Sequence, residues 1–556
     1  MSNRLALRSH HGASIVLTTS RTASGLDPTQ GESEAGRYNV ASDYPIIVGV
    51  GQITHRAAGL SEASEPIDLM EAAARRAEAD AGTSGLLAQV DSVQVVNIIS
   101  WPSTDPPADL ATRIGAGPGE RLYTTIGGNT PQWLVNETAE RIVQGRVRLA
   151  LLAGAEAMHS SRLARKRGER LPWPPRGRPQ PDIGDARVGS SELEAKHGAT
   201  MPIRVYPLFE NALRAHRSRS LADHQRYLGE LGARFAAIAR DNPYAWFQDG
   251  KSAEEIASVS PGNRMVCYPY PKFMNAIMAV DQGAALLMAS ESAARELGIP
   301  EERWVYLRGC GDANDHWFLS ERVNYHSSPA IQVASRRALG MAGVGVDEIA
   351  YLDLYSCFPA AVQLGRDALG IAPDDPRPLT VTGGLPYFGG AGNNYTMHAI
   401  AAMVERLRQA PERLGLVTAL GWFVTKHAVG VYGAKRPEGE WSRTDPGVDQ
   451  AEVDAMPHPE LAAEADGPAT IETYTVVYGR EGRPELGIVI GRLDDGRRFI
   501  ANTPPDDGAL LDSMTTQEFV GARGAVRHDT STGTNVFAGE ARVRWTRSTK
   551  LEQRTG

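Results

Sequence analysis

Cysteine is scarce in this chain: 556 residues hold three, Cys267, Cys310 and Cys357. Three cannot build a disulfide framework, and their separations lack metal-ligand spacing, so a reducing, cytoplasmic compartment is the simpler reading and no metal site is expected. Long hydrophobic runs are missing too. The opening MSNRLALRSHHGASIVLTTSRTASG has no continuous apolar segment of signal-peptide type, and no stretch elsewhere is long enough to span a bilayer as a helix, which speaks against membrane insertion. Nor is there a basic excess. With 58 Lys and Arg against 66 Asp and Glu the formal net charge is -8, which excludes a general nucleic-acid surface but not a local patch for a phosphate-bearing ligand.

What is present is the composition of a globular protein, 42% hydrophobic and 22% charged, at a length that predicts two or three domains. The 57 glycines and 35 prolines predict many tight turns or long loops. Residues 1–42 read as an N-terminal extension. YPIIVGVGQ, 44–52, then reads as a buried strand whose glycines lead into a ligand-facing turn, followed by the amphipathic helix EPIDLMEAAARRAEADAG and the strand VDSVQVVNI. The order returns later: WVYLRGCG (304–311) as strand, SRRALGMAGVGVDEIA as helix and turn, YLDLYSCF (351–358) as a strand running into a site loop. Each half also has a glycine-rich turn before a helix, TTIGGNTPQWLVNETAERIVQG (124–145) and GGLPYFGGAGNNYTMHAIAAMVERL (383–407), and then a short apolar strand, RLALLAGAEAM or LGLVTALGWFV. A two-fold internal repeat accounts for this most economically.

The predicted organisation is an α/β body in two halves, 43–295 with a loop insertion at 159–262, and 296–433. A linker follows at 434–466, then a small β-rich domain at 467–556. That last segment carries short alternating strands, ATIETYTVVYGREG, ELGIVIGRLDDGRRFIANT, RGAVRHD and GEARVRWT, which suit a β-barrel or OB-like domain. Barrel shape alone does not imply oligonucleotide binding.

MNAIMAVDQGAALLMAS (274–290), GAEAM (154–158), YLDLYSCF and GGLPYFGGAG together resemble the thiolase superfamily, its sterol-carrier and thiolase-like branch above all, over roughly 44–433. The β-rich addition makes the chain look like an actinobacterial thiolase-like protein. The resemblance implies a duplicated thiolase fold with layered αβαβα architecture, an acyl-CoA-shaped cleft, and coenzyme A or an acyl-CoA as ligand or substrate with no further cofactor. A homodimer is the family expectation; a partner protein is the alternative.

The resemblance also says where catalytic residues belong, and this sequence departs at each place. The acylated cysteine of the family falls at Gly128, or at Asn129 if the register slips by one. The element whose first residue orients water reads Tyr355, Ser356, Cys357 and Phe358. The Gly-His-Pro element reads Gly389, Gly390 and Ala391, without the imidazole, and the Cys-x-Gly element reads Gly421, Trp422 and Phe423, without the second thiol. These changes bear on acyl capture, water orientation, oxyanion stabilisation and proton transfer.

What remains as catalytic candidates is Tyr355, His398, His427 and Cys357, of which Cys357 suits packing near the site better than attack. A hydrogen-bonded structural histidine is the plainer reading of His398 and of His427. Ligand-binding candidates are the turns Gly127–Gly128 with Asn129 and Gly389–Gly390, Trp422, and Arg162 and Arg165 in SRLARKRGER, which could meet CoA phosphates. Asn393 and Asn394 read as helix caps. The leading expectation is a CoA-binding thiolase-like protein without ordinary thiolase chemistry. The alternatives are an acyltransferase with a rearranged, non-cysteine site, acting on acyl-CoA thioesters, and a scaffold or complex subunit.

Overall fold

The apolar run after Tyr44 forms strand β1 (Pro45–Thr54) of a computed structural model that describes residues 43–538. The extension predicted for 1–42 and the strand predicted at GEARVRWT lie outside the described residues. The glycines of GVGQ do not end β1. The strand runs on to Thr54, and Gly49 and Gly51 face helix α1 (Pro66–Ala81) in mid-strand. A Cβ on Gly49 would stand 3.0 Å from the carbonyl carbon of Ala77, and one on Gly51 2.7 Å from the Ala77 nitrogen. These glycines admit a helix backbone to a strand, which is a packing role.

The other strands of the main sheet are β2 (Ser92–Val95), β3 (Glu120–Tyr123), β4 (Leu149–Ala157), β5 (Asp281–Ser290), β6 (Val305–Asn314), β7 (Ile349–Asp353), β8 (Leu414–Gly421) and β9 (Lys426–Gly433), while the short strands Met265–Cys267 and Tyr270–Pro271 join the C-terminal sheet. They form one nine-stranded mixed sheet in the order β3-β2-β4-β5-β1-β6-β9-β8-β7. Read outward from the antiparallel junction of β1 and β6, where Ile46 pairs Tyr306 and Ile47 pairs Val305, the first half runs β1-β5-β4-β2 and the second β6-β9-β8-β7, so that equivalent strands stand in the same order. The second half lacks only the outer third strand. The expected repeat is therefore present.

It extends to side chains. In β6, Gly309 and Gly311 admit α5 (Pro329–Ala342) as Gly49 and Gly51 admit α1: a Cβ would lie 2.8 Å from the Ala342 nitrogen and 3.0 Å from the Ala334 carbonyl carbon. Helix α1 packs on strands of the first half and α5 on strands of the second. Between them α2 (Thr130–Val143) and α6 (Tyr395–Gln409) touch each other and strands of both halves, giving the five-layered thiolase arrangement.

Within the insertion, α3 (Pro202–His216) and α4 (Leu221–Arg240) pack beside the site. The stretch 434–466 carries more core material than its composition suggests. Trp441 is buried and donates to the Leu307 carbonyl (3.0 Å), and the buried Arg443 guanidinium reaches Glu137, Glu140 and Asp312.

The C-terminal strands are β10 (Gly467–Tyr478), β11 (Pro484–Leu493), β12 (Arg498–Asn502), β13 (Arg523–Asp529) and β14 (Thr534–Ala538), with α7 (Gly508–Thr516) between β12 and β13. Their order β10-β11-β12-β14-β13 closes back on β10, and β12 runs parallel to β14, which is the OB arrangement. Phe499, Phe537, Ile471 and Met514 fill its own core. The barrel is fastened to the body: Arg498, fully buried, binds Glu472 and the carbonyls of Ser320 and Arg322, while Asn211 donates to the Tyr474 carbonyl (2.9 Å). Among the described residues no helix is long and apolar enough to cross a membrane.

Candidate active site

The turn Gly127–Gly128–Asn129 delivers the chain into α2, with Pro131 in the first helical turn. A Cβ built on Gly128 would stand 2.7 Å from Cζ of Tyr355, closer still to its hydroxyl, and 2.5 Å from the Leu420 carbonyl oxygen. The phenol thus fills the space a side chain at 128 would need. A Cβ on Gly421 would meet Asn129, 3.2 Å from its Cγ, so the turn at 127–129 and the start of the Gly421 turn lie against each other. Neither carries a thiol.

The cysteines that are present do not substitute. Burial pushes the thiols of Cys357 and Cys267 up to about 12 and that of Cys310 higher still, so no thiolate is available near neutral pH. Tyr355 is likewise buried, and desolvation holds its phenol well above the ordinary value; it can donate a proton in a hydrogen bond but not act as a base.

The glycine turns are committed to the protein. Gly127 N–H donates to Asn393 Oδ1 (3.0 Å) and Gly390 N–H to the Ile277 carbonyl (2.9 Å). Asn393 and Asn394 do not cap α6 with their side chains. Asn393 spans the two halves to the first-half turn, and Asn394 donates to the Gly154 carbonyl (2.6 Å).

His398 is fully buried in α6, with Nδ1 3.0 Å from Gln52 Oε1 and Nε2 without a partner; burial drives it down to about 3, so it is neutral at any ordinary pH. His427 lies elsewhere, at the start of β9. Its Nε2 is 3.6 Å from Asp315 Oδ2, too long for a hydrogen bond. Burial alone would raise Asp315, yet His427, Arg322 and Ser328 together bring it below the usual carboxylate range. Tyr355 and His427 share only a closed gap of about 10 Å³, too small for a substrate atom group.

The turn Gly421–Thr425 is strained. Trp422 and Val424 have φ of 55° and 59°, unusual for any side chain and a true outlier for the β-branched valine. Arg322, itself buried, holds it by donating to the carbonyls of Phe423 (3.0 Å) and Val424 and to Thr425 Oγ1 (2.7 Å). The Trp422 ring lies against Gly189, and Arg162 and Arg165 are exposed on the helix Met158–Arg167.

The strained turn delivers a residue that motif reading passes over, Lys426. Its side chain is buried, and Nζ donates to the Ile126 carbonyl (2.5 Å). Desolvation brings its ammonium down to about 8, against a weaker upward pull from Asp185. Lys426 and His427 both line a cavity of about 430 Å³ at the N-terminal end of α2, with Thr125, Asn129, Trp133 and Asp185. The only signal in sequence is a lysine at the head of a largely apolar strand, FVTKHAVGVYG. Among the described residues no cluster of His, Cys, Asp and Glu is suited to a metal ion.

Comparison with known proteins now decides the family. The additional C-terminal domain of thiolase-like protein type 1 matches residues 449–531. A monomeric SCP2-thiolase-like protein type 1 from Mycobacterium smegmatis is similar over 90% of this chain and 100% of its own, at 37% identity and a TM-score of 0.77. The chain belongs to the type 1 SCP2-thiolase-like proteins. More distantly, this type 1 chain is 24% identical over 200 residues to the benzoylsuccinyl-CoA thiolase subunit BbsB of Thauera aromatica, a match spanning 33% of this chain and 44% of that subunit. The Ltp2–ChsH2(DUF35) aldolase shares the fold at 18% identity over 72% of this chain and all of that one, with a TM-score of 0.56.

Proposed function

We propose that this type 1 thiolase-like protein binds coenzyme A or an acyl-CoA and does not run thiolysis or Claisen condensation through a cysteine. The observation that carries this reading is the Tyr355 phenol in the side-chain space of Gly128, with all three thiols buried in their neutral form. A ping-pong thiolase must acylate a nucleophile at that position, and glycine offers none. Support for the ligand comes from the family and from a relative named for a CoA thioester. Arg162 and Arg165 are the side chains we assign to CoA phosphates, with Trp422 and the turns at 127–129 and 389–390 shaping the cleft. The protein acts in the cytoplasm on this reading.

A second reading, a non-cysteine acyltransferase, is favoured by one feature, the cavity where Lys426 and His427 meet the end of α2. Intact-protein mass spectrometry with acetyl-CoA and a longer acyl-CoA separates the two. Reversible complexes without an acyl adduct or excess free CoA are the expected result. Sustained CoA release without an adduct would establish the second reading, and an acyl group on Cys357 would overturn both.

A further inference from the structure

A buried lysine that serves packing alone either pairs with a carboxylate or snorkels its ammonium to water. Lys426 does neither. It is 3% exposed, and among the described residues no carboxylate lies within ion-pair distance of Nζ, the nearby Asp185 being engaged by Arg187 at 2.6 Å. Its one hydrogen bond, to the Ile126 carbonyl, fixes the amine at the wall of the 430 Å³ cavity. The same wall holds two buried side-chain oxygens without hydrogen-bond partners, Asn129 Oδ1 and Thr125 Oγ1, and the N-terminal end of the 14-residue helix α2. An amine, two open polar oxygens and a helix N-terminus around one small cavity make a site for a polar, unsaturated carbon.

We propose that this cavity is a carbonyl site in which the Lys426 amine forms a reversible imine with the ketone or aldehyde carbon of a keto compound, free or CoA-linked. The nitrogen lone pair attacks the carbonyl carbon, the C=O π pair moves to oxygen, and transfer of a proton from nitrogen to that oxygen gives a carbinolamine. Its hydroxyl is placed to hydrogen-bond Asn129 Oδ1 and Thr125 Oγ1. The C–O bond then breaks, the oxygen leaves as water with one further proton, and the C=N bond forms. That proton comes from solvent in the cavity, because His427, the next residue along β9, turns its ring to the opposite face of the sheet, toward Asp315. No oxidant or second substrate is needed. An ammonium brought down to about 8 supports the step, because about one molecule in ten then holds the free amine at pH 7.

For the CoA-linked case the inference rests on the acyl-CoA reading above, and the test keeps the two apart. The full-length protein is treated with cyanoborohydride and either acetoacetate or acetoacetyl-CoA, the product is mapped by peptide mass spectrometry, and non-covalent binding of butyryl-CoA is measured in parallel. The expected result is a mass gain equal to the ketone less one oxygen, at least tenfold more abundant on Lys426 than on the exposed Lys166, and lost at least tenfold in Lys426→Arg. Labelling spread over surface lysines, or no labelling of Lys426 in the wild-type protein, overturns the proposal even if butyryl-CoA binds. Labelling of Lys426 by free acetoacetate without butyryl-CoA binding upholds the imine and removes the CoA reading alone.

Discussion

The two halves of the body repeat each other in packing and part company at the site. In both, a glycine pair two residues apart on the first strand lets a helix backbone settle on the sheet, Gly49 and Gly51 against α1, Gly309 and Gly311 against α5. In both, a glycine turn enters a central helix. Yet the first-half turn opens on a cavity of about 430 Å³, while in the second-half turn Gly390 N–H is tied to the Ile277 carbonyl and Gly389 lies against Gln282. Close backbone packing tolerates almost no substitution, so both halves show the same device. Chemistry needs one site, so the halves differ where side chains reach the cavity.

The packing half of this comparison is the easiest to break. Gly51→Val and Gly311→Val each push a branched side chain into helix backbone that cannot yield, and each is expected to cost more than about 3 kcal/mol, read as loss of soluble protein or a matching fall in urea midpoint. If one half tolerates valine while the other does not, the repeat is topological only.

At the site the contrast sharpens through Gly128. Gly128→Ala places a methyl against the Tyr355 ring and the Leu420 carbonyl and is expected to cost about 2 kcal/mol. Tyr355→Phe removes the hydroxyl and recovers part of that cost, so a double-mutant cycle by chemical denaturation should show coupling of about 1 kcal/mol. Additive effects would mean that the phenol does not occupy the vacated space.

How much of this was legible in the sequence follows the same division. Periodicity and glycine turns exposed the repeat, because alternation of strand and helix survives low identity. The barrel was legible as short alternating strands; its closure was not, since strand order depends on pairings such as Asn502 with Val536 that no local pattern encodes. Gly49 and Gly51 looked like a ligand-facing turn because sequence cannot show what a missing Cβ avoids. Lys426 was invisible for a related reason. A lysine in a strand is ordinarily a solvated residue, and only burial, its lone carbonyl contact and the cavity make it exceptional.

Lys426 gives a prediction of opposite sign. A base whose folded value is lowered from 10.5 to about 8 destabilises the fold by an amount that is complete below pH 8 and vanishes as pH rises toward 10.5. Lys426→Met is therefore expected to raise stability at pH 7 by about 2 kcal/mol, allowing for the lost bond to Ile126, while abolishing the trapped adduct. A gap that failed to narrow between pH 8 and pH 10 would mean that the lysine is not desolvated as described.

The last contrast concerns the carboxylates that each half buries, and it is spread over a range of pH. Glu156 in β4 accepts from the amides of Ile99 and Ser100 (both 2.7 Å), and Asp353 in β7 accepts from Val381 N–H (2.9 Å) and the Tyr395 hydroxyl (3.1 Å). Burial outweighs these bonds and raises Glu156 to about 7 and Asp353 to about 6. For an acid raised in the folded state, stability is greatest below its unfolded value near 4 and is lost as pH rises through the folded one, at most about 1.4 kcal/mol per unit of pH for each group. Urea midpoints should therefore fall from pH 5 to pH 7. Glu156→Gln should flatten the upper part of that fall and Asp353→Asn the lower part, because the two groups titrate about one unit apart. If Glu156→Gln left the slope between pH 6 and pH 7 unchanged, the first-half carboxylate would have to be ionised in the folded state, and the asymmetry between the halves would lie in the cavity alone.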